Sequence, residues 1–427
     1  MRIRIAVSLC FAAATCLTIT TASAVFQYTI TDLGTLGGNY SLAHGINVSG
    51  QVVGQARTAG GDPRAFLWEN GVMQDLGTLG GNYSLAQNIN VSGQVVGSAY
   101  MASGSPRAFL WENGVMQDLG TLGGLSSGAQ DINVSGQVVG YAQTVSGGWH
   151  AFLWENGATQ DLGTMGGTWS GGYSINASGQ VVGAVGTASG DDHAFLWENG
   201  VMQDLGTLGG SYSFAHGINA SGEVVGQAST ASGYYHAFLW KNGVMHDLGT
   251  LGGSRSSARA INALGQVVGY AYGASQDGGA FLWEDGVMYD LNSLLPYGAG
   301  WILKNAADIN DLGQIVGIGK NPDGHSHALL LTPIIPGPGD VDGNGIVDGL
   351  DLAAVMTAWE TVPGDPLWNE AADLDGNGLV DGLDLTEVIS NWTTTAGALP
   401  PPVPEPATLV LVGLAAFGLL LRKARKH

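Results

Sequence analysis

The chain has 427 residues, 70 of them glycine, and a formal net charge of −21. Only 11% of the residues are charged and 45% are hydrophobic, which is the composition of a folded β protein rather than a disordered chain. Because so acidic a chain lacks the basic surface that nucleic-acid binding needs, we expect no nucleic-acid partner.

Residues 1–24 have the pattern of a secretory signal peptide. Arg2 and Arg4 form the positive start, an apolar run follows, and Ala-Ser-Ala ends the segment as a small-residue cleavage site. The alternative is a short membrane anchor, although the apolar run is short for one. Cys10 and Cys16, the two cysteines, both lie here, so the mature protein would have neither disulfides nor thiol chemistry.

A repeat of 43 residues fills residues 25–332. An Ile-Asn pair follows this period and returns once more after a step of 48 residues. A fixed period of this length is typical of solenoids, propellers and related arrays. The tryptophans that mark the period are Trp68, Trp111, Trp154, Trp197, Trp240 and Trp283.

Each copy contains four short runs typical of β-strands. In the first copy, the second to fourth runs are residues 51–54, 65–68 and 72–76. Asn70 and Gly71 separate the last two runs, and this pair predicts a hairpin because both residues tolerate positive φ. Four antiparallel strands in about 40 to 45 residues are the blade of a β-propeller.

The ends of the array predict closure. The Asp-Leu element that ends each fourth run occurs seven times, yet its first copy follows no tryptophan hairpin, and the last copy stops after three runs. We therefore predict an all-β, seven-bladed β-propeller whose seventh blade is completed by residues 26–33, followed by a small α-helical module. Closure removes exposed strand edges. An open β-solenoid, which needs no matched half-repeats, is the alternative.

The third run begins with His-Ala-Phe in three copies, at His150, His193 and His236. Arg64 and Arg107 replace the histidine in two others. With these triplets, the repeat resembles the family of HAF repeats. That family is described as extracellular repeats, so the resemblance implies a place outside the cell and no particular activity.

The sequence contains no convincing catalytic constellation, and we expect the protein not to be an enzyme. Most polar residues of the repeat recur in most copies, whereas a reaction needs one asymmetric set of groups. His44 and His216 occupy equivalent positions before Gly-Ile-Asn, where our alignment of the other copies places Asn88, Asp131 or Arg259.

A loop after the Gly-Gly pair of the repeat is predicted to carry aromatic residues. If these loops share one face, the rings would form a platform suited to sugars or peptides. Packing of the rings against the next blade is the alternative. The four candidate ligand-binding residues are Tyr40, Tyr83, Trp169 and Tyr212.

Residues 333–339 form a stiff proline-rich linker, after which residues 340–392 carry many acids and no Lys or Arg. Two matching segments 33 residues apart each precede an amphipathic run with helical spacing. Ca²⁺ takes about six to eight oxygen ligands, and six loop positions supply them twice. We predict two Ca²⁺ ions, and poor folding without them because the carboxylates repel. The predicted ligands are Asp340, Asp342, Asn344, Ile346 (carbonyl), Asp348 and Asp351, and Asp373, Asp375, Asn377, Leu379 (carbonyl), Asp381 and Asp384.

The paired loops resemble a type I dockerin over residues 340–392. Members of that family bind calcium in both loops and dock onto cohesin modules, so the resemblance implies a cohesin-like partner. Asp351 and Asp384 stand where the usual EF-hand has Glu, as they do in dockerins. The two positions that help dockerins to choose their cohesin are Gly-Leu here (349–350 and 382–383), so the identity of the partner does not carry over.

Residues 393–403 form a second linker. Pro404, Glu405 and Pro406 follow, and then an apolar run and a basic end. This order resembles the PEP-CTERM sorting signal of Gram-negative bacteria. The resemblance implies processing by an exosortase, transient membrane anchoring through residues 404–427, and delivery to the cell surface or to exopolysaccharide. A permanent tail anchor is the alternative.

These features predict a secreted protein of the bacterial cell surface or extracellular matrix. Its expected role is structural, adhesive or ligand-binding, with a cohesin-like protein or an exopolysaccharide as partner. The alternative is a polysaccharide-active propeller enzyme, a hydrolase or a lyase. An acid–base pair at unique positions of one face would favour that enzyme.

Overall fold

A computed structural model describes residues 27–296 and 298–393. The predicted signal peptide, the second linker beyond residue 393 and the PEP-CTERM signal lie outside the described residues. The chain divides into two compact units, of which one is Gln27–Ile334 and the other contains the acidic loops.

The first unit is built almost wholly of β-strands, and the second contains two short helices. The strands are β1 (Tyr28–Asp32), β2 (Gly37–Ile46), β3 (Val52–Thr58), β4 (Pro63–Glu69), β5 (Val72–Asp75), β6 (Gly80–Ile89), β7 (Val95–Met101), β8 (Pro106–Glu112), β9 (Val115–Asp118), β10 (Gly123–Ile132), β11 (Val138–Thr144), β12 (Trp149–Glu155), β13 (Ala158–Gly163), β14 (Gly166–Ile175), β15 (Val181–Thr187), β16 (Asp192–Glu198), β17 (Val201–Asp204), β18 (Gly209–Ile218), β19 (Val224–Thr230), β20 (Tyr235–Lys241), β21 (Val244–Asp247), β22 (Gly252–Ile261), β23 (Val267–Gly273), β24 (Gly278–Glu284), β25 (Val287–Asp290), β26 (Ile302–Ile309), β27 (Ile315–Lys320) and β28 (Ser326–Pro333). The helices are α1 (Gly349–Thr357) and α2 (Gly382–Ser390), with single 3₁₀ turns at Leu291–Leu294 and Glu370–Ala372.

Each repeat forms an antiparallel sheet with its strands in chain order. Within the described residues, five four-stranded sheets stand apart, namely β6–β9, β10–β13, β14–β17, β18–β21 and β22–β25. The first and last repeats share an eight-stranded sheet, in which a single parallel residue pair, Tyr40 with Ser326, joins β2 to β28. Strand β1 pairs antiparallel with β28, from Tyr28 opposite Pro333 to Asp32 opposite Leu329. The strand before the first repeat therefore lies in the sheet of the last one.

The hairpin predicted from Asn-Gly is confirmed. Asn70 has φ 50° and Gly71 has φ 81°, and this pair of positive φ angles recurs in the equivalent turns. Such turns match the twist of the flanking strands. The strands are longer than the sequence pattern indicates, since β3 continues to Thr58, through residues that we expected in a loop.

The core lies between neighbouring sheets. Ala65 and Phe66 in β4 are fully buried, which explains why this strand is apolar on both faces. Each core cluster takes residues from two successive sheets. In one cluster, Leu67 of one sheet packs with Phe109 and Trp111 of the next. Burial of this kind makes each repeat depend on its neighbours.

A buried asparagine in the turn after the first strand bonds each sheet to the next. Asn133 is 4% exposed, and its side-chain oxygen accepts the N–H groups of Ser135 and Gln137. Its amide donates to the Asn176 carbonyl of the next sheet at 3.1 Å. The residues that make this bond are Asn47, Asn90, Asn133, Asn176, Asn219, Asn262 and Asn310. Asn310 donates to the carbonyl of Asn47 at 3.0 Å, so the last repeat is bonded to the first.

A buried serine makes a second link between sheets. The hydroxyl of Ser84 accepts the N–H of Ala65 from the preceding sheet at 2.9 Å and donates to the carbonyl of Gly77. Ser41 accepts the N–H of Ala328 in the same way, again joining the last repeat to the first. Both links satisfy backbone groups that would otherwise be buried without a partner.

The second unit consists of two loop–helix pairs around a small apolar core. Val355 in α1 and Val388 in α2 are fully buried in that core. Ile389 and Trp392, at 58% and 39% exposed, do not belong to that core. Helix α2 ends at Ser390, so Trp392 lies beyond it.

Replacement of the linking asparagine tests whether all the sheet-to-sheet bonds are equivalent. We expect Asn133→Ala and Asn310→Ala each to lower the free energy of unfolding by about 2–3 kcal/mol, because buried backbone groups lose their partners. Chemical denaturation measures this loss. Ser135→Ala, an exposed change in the same turn, should stay within about 0.5 kcal/mol of wild type. A much smaller loss for Asn310→Ala than for Asn133→Ala would contradict the bond between the last and first repeats.

Candidate functional site

The two acidic loops of the second unit fold alike. The two carboxylate oxygens of Asp340 accept the N–H groups of Asn344 at 3.0 Å and of Gly345 at 2.7 Å. Asp373 accepts the equivalent bonds in the second loop at 3.1 and 2.9 Å. Gly345 has φ 81° at the sharp turn, a conformation that favours glycine. Each loop therefore curls around its first aspartate.

The last aspartate of each loop is held by the start of the following helix. Asp351 is fully buried at the third position of α1. Its carboxylate accepts three backbone N–H groups, from Val341 at 2.7 Å, Asp342 at 3.1 Å and Asp348 at 2.7 Å. Asp384 is bonded in the same way in the second loop. The capping box thus ties the helix start to the loop.

The carboxylates of each loop lie close enough to share a cation. Within each set, one oxygen per residue lies within 4.8 Å of the others. The pKa of Asp342 is raised, first by burial and then by the charges of Asp351, Asp340 and Asp348. Three crowded carboxylates repel one another unless a positive charge offsets them. The two sets are Asp340, Asp342 and Asp351, and Asp373, Asp375 and Asp384.

The remaining predicted ligands lie in the same loops, but their side-chain oxygens accept hydrogen bonds from backbone N–H groups. Asp348 is the N-cap of α1 and accepts the N–H of Leu350 at 2.7 Å. The Asn344 amide oxygen accepts the N–H of Ile346 at 2.8 Å. Their role as ligands stays a prediction. The counterparts in the second loop are Asn377, Leu379 and Asp381.

The four aromatic residues predicted for loops lie on strands instead, so that part of the prediction is wrong. They are Tyr40 in β2, Tyr83 in β6, Trp169 in β14 and Tyr212 in β18. The ring of Tyr83 lies 5.0 Å from that of Tyr100, on the second strand of its own sheet. The indole N–H of Trp169 donates to Asp192 at 2.9 Å. Tyr83 and Trp169 therefore contact residues of their own sheets, and Tyr212, at 40%, is the most exposed of the four.

A cavity of about 640 Å³, here called the inner cavity, lies among the first strands of the repeats. Its wall includes a position at which the copies differ, occupied by His44, Gln87, Gln130, Tyr173, His216 and Arg259. Strand pairing sets Gly45 opposite Val53 and Asn88 opposite Val96, so Asn88 is the counterpart of Gly45. Our sequence alignment, which equated Asn88 and Asp131 with His44, is therefore wrong by one residue. A β-bulge here brings two consecutive side chains to the wall.

Two carboxylates of the inner cavity join neighbouring sheets. Asp131 accepts the Ser174 hydroxyl at 2.7 Å and the Ile175 N–H at 2.9 Å from the next sheet. Asp308 accepts the N–H of Ile46 at 2.9 Å. Burial raises the pKa of Asp131 to about 6 and that of Asp308 to about 7, against the opposing effect of these hydrogen bonds. Both carboxylates therefore have a structural task.

The basic side chains of the inner cavity have no such partners. Burial and the charge of Arg259 lower the pKa of His44 to about 4 and that of His216 to about 3, so both imidazoles are neutral at pH 7. The ring of His216 stacks on Tyr173 with centroids 6.0 Å apart. The guanidinium of Arg259 lies 5.4 Å from the ring centroid of Tyr270. Arg259 is thus a positive charge fixed at the cavity wall.

The sequence analysis named five residues of this wall, His44, Asn88, Asp131, His216 and Arg259, without bringing them together in one cavity. The inner cavity was not predicted, because the prediction rested on the residues that recur in most copies. The signal was present in a position that changes between copies, from His to Gln, Tyr and Arg. In a scaffold of near-identical repeats, such a position is where a single asymmetric site can form.

Comparison with known families matches two parts of the chain. The dockerin type I domain matches residues 338–391, and the PEP-CTERM protein-sorting motif matches residues 402–426. These two resemblances are thereby confirmed. No characterised protein sequence matches the chain significantly. Among the described residues, neither helix has the length and apolar character needed to cross a bilayer.

Several solved structures have distant similarity to the chain. TolB from Acinetobacter baumannii is 10% identical, with TM-score 0.38 over 69% of this chain and 64% of that one. AofleA from Arthrobotrys oligospora is 13% identical, with TM-score 0.36 over 62% and 88%. A puromycin-hydrolyzing peptidase of Mycobacterium tuberculosis is 12% identical, with TM-score 0.48 over 69% and 51%. The chain spans less than two thirds of TolB and of this peptidase, and similarity this distant carries no information on activity.

The depressed pKa of His216 makes the stability of the protein sensitive to pH. The folded value of about 3 lies below the ordinary 6.5, so the unfolded chain takes up a proton that the folded chain does not. The stability that this group contributes is complete above pH 6.5 and is lost as the pH falls from there towards 3. We expect His216→Gln to lose less Tm than wild type between pH 7 and pH 5. Calorimetry at each pH measures this slope.

His246→Gln is the control, because His246 is an exposed histidine of β21. Its Tm should fall with pH as steeply as that of wild type. If His216→Gln kept the wild-type slope, His216 would not be withheld from protonation in the folded protein.

Proposed function

We propose that the protein is a cell-surface or extracellular-matrix scaffold that carries a calcium-dependent docking module. The matches to the dockerin type I domain and the PEP-CTERM motif indicate an extracellular, surface-sorted protein with a docking module. The observation that carries the proposal is the pair of acidic loops, each with three convergent carboxylates and each fixed by a helix cap. The role that we assign is structural or adhesive.

We further propose that the repeats form a closed, seven-bladed β-propeller. Counting the two halves of the eight-stranded sheet separately, together with the five other sheets, gives seven sets. The pairing of β1 with β28 supports closure. So does the pairing of His327 with Asp32 at 2.9 Å, which repeats the contact of His150 with Asp161 at 2.8 Å. The resemblance to HAF repeats agrees with an extracellular propeller.

Each acidic loop fits one Ca²⁺. Dockerin type I domains bind calcium. Here Asp340, Asp342 and Asp351 would hold the first ion, and the matching residues of the second loop would hold the second. All of the donors are oxygens, as this hard cation prefers. When bound, the ion supplies the positive charge that lets the buried carboxylates stay ionised.

The partner that we propose is a cohesin-like protein, and the C-terminal signal assigns processing to an exosortase. In this view the loops are the docking element and the repeats are the cargo displayed by it. An exopolysaccharide remains a candidate ligand of the repeats. We propose no enzymatic activity for the chain.

One observation favours the alternative of a polysaccharide-active enzyme. Asp131 and Asp308 occupy the same position of two repeats, opposite Val139 and Val316, where the other five copies have no acid, and burial raises the pKa of both. Two such carboxyl groups in one cavity would suit an enzyme of this kind. Their oxygens, however, accept backbone N–H groups from neighbouring sheets. Binding is therefore the function that we prefer.

Each acidic loop should bind its own Ca²⁺ ion, so a change in one loop should affect one binding event. We expect isothermal titration of the chelator-treated full chain to show two Ca²⁺ ions, and calcium to raise the Tm of the acidic unit. Asp342→Asn and Asp375→Asn should each weaken one binding event at least tenfold, because one ligand charge is lost. Glu370→Gln, an exposed acid outside the loops, should keep both events. A full chain that binds no calcium would refute the metal site.

Docking should require the calcium-loaded loops. We expect the immobilised full chain to capture a purified type I cohesin module or extracellular matrix from the producing cells in calcium, and to release it in chelator. The double variant Asp342→Asn, Asp375→Asn should fail to capture because its loops are not ordered. Capture that is unchanged by chelator would move the binding site to the repeats and would contradict the docking role of the loops.

A further inference from the structure

We propose that the inner cavity binds a small molecule that carries one carboxylate and several hydroxyl groups, which is the chemistry of a sugar acid. The cavity lies within the repeats, so this function is separate from that of the calcium loops. Its volume of about 640 Å³ is that of a typical small-molecule site. A monosaccharide acid would fill a part of it.

The wall of the inner cavity is asymmetric although the scaffold is repetitive. The residues that join the sheets recur in almost every copy, as the linking asparagines do. The wall position, in contrast, has four different polar side chains in six copies. Their placement around one space therefore suits recognition of an irregular ligand.

Arg259 supplies the recognition of an anion. Its Nε is buried without a hydrogen-bond partner, and no carboxylate within the described residues forms an ion pair with its guanidinium. Asp131 and Asp308, the two acids of the cavity, are already bonded to backbone N–H groups. A guanidinium offers planar paired donors that match the two oxygens of a carboxylate. A carboxylate in the cavity would satisfy this buried cation.

Apart from Asp131 and Asp308, the other polar groups of the wall are neutral and fit hydroxyls. His216 Nε2 and Asn305 Oδ1 are both buried without partners, and both line the cavity. Gln87 and the Tyr173 hydroxyl add further donors and acceptors, and the Phe214 ring offers an apolar surface for a sugar ring. A phosphate would call for more positive charge than one guanidinium among neutral imidazoles. Hydroxyl groups beside a single carboxylate match the wall better.

Calorimetric titration of the full chain separates the contribution of the carboxylate to binding from that of the hydroxyl groups. The probes are D-glucuronate and D-galacturonate, with D-glucose as the ligand without a carboxylate and acetate as the ligand without hydroxyls. We expect one uronate to bind at least tenfold more tightly than both glucose and acetate. Equal binding of acetate, equal binding of glucose, or no binding of either uronate at millimolar concentration would each overturn the proposal.

Matched variants locate the site. Arg259→Gln should weaken uronate binding at least tenfold, while Arg255→Gln, an exposed change on the same strand, should leave it unchanged. Tyr173→Phe keeps the ring stacked on His216 and loses the hydroxyl, so we expect a threefold or greater loss. Tyr234→Phe at the exposed surface is its control.

The Tyr173 pair tests the site if Arg259→Gln does not fold, and thermal unfolding of the repeats in each variant reports whether that unit is intact. An equal loss in both arginine variants would show a general effect of charge and would overturn the assignment. Uronate binding that survives both Arg259→Gln and Tyr173→Phe would place the ligand elsewhere.

Discussion

The fold of the repeats depends on one buried amide per copy. The asparagine side chain closes a turn in its own sheet and donates to a carbonyl in the next, so each repeat completes its hydrogen bonds through its neighbour. A buried amide without partners is costly, and a bonded one is specific about distance and angle. This contact sets the spacing between sheets, and the phenylalanine and tryptophan side chains fill the space that it defines. The serine hydroxyls form a second set of hydrogen bonds between neighbouring sheets.

Much of this architecture could be predicted from the sequence because its signals are local and periodic. The Asn-Gly turns, the apolar third strand and the spacing of the acidic loops each follow from a few adjacent residues. The inner wall could not be predicted in the same way. The 43-residue period already equates His44 with Gln87, but a β-bulge in the first strand breaks the alternation that assigns side chains to faces, so which residues face the inner cavity needed the strand pairing. The position of Trp392 likewise depends on where α2 ends, because the helix stops at Ser390.

Recurrent and variable residues have different tasks in this molecule. Residues that recur hold one sheet to the next, and a change in any of them disturbs a contact that every repeat uses. The side chains around the inner cavity make contacts that are not repeated in every copy, such as the stack of Tyr173 on His216, so they can differ from copy to copy. The second unit shows the same separation, because its candidate metal-binding acids lie in loops and its packing residues form a core. There the helices α1 and α2 and the segments between them form the small apolar core, and the acidic loops precede the helices.

The pairing of β1 with β28 brings together parts of the chain 303 residues apart. A chain that leaves the ribosome or crosses a membrane from its N-terminus exposes β1 first and must wait for β28 before that strand finds its partner. Contacts of such sequence separation form late, because the chain pays the entropy of closing a very long loop. Once the pairing has formed, neither end of the repeat array can peel away without breaking it. The protein should therefore be slow to mature and, once mature, slow to be digested from its ends.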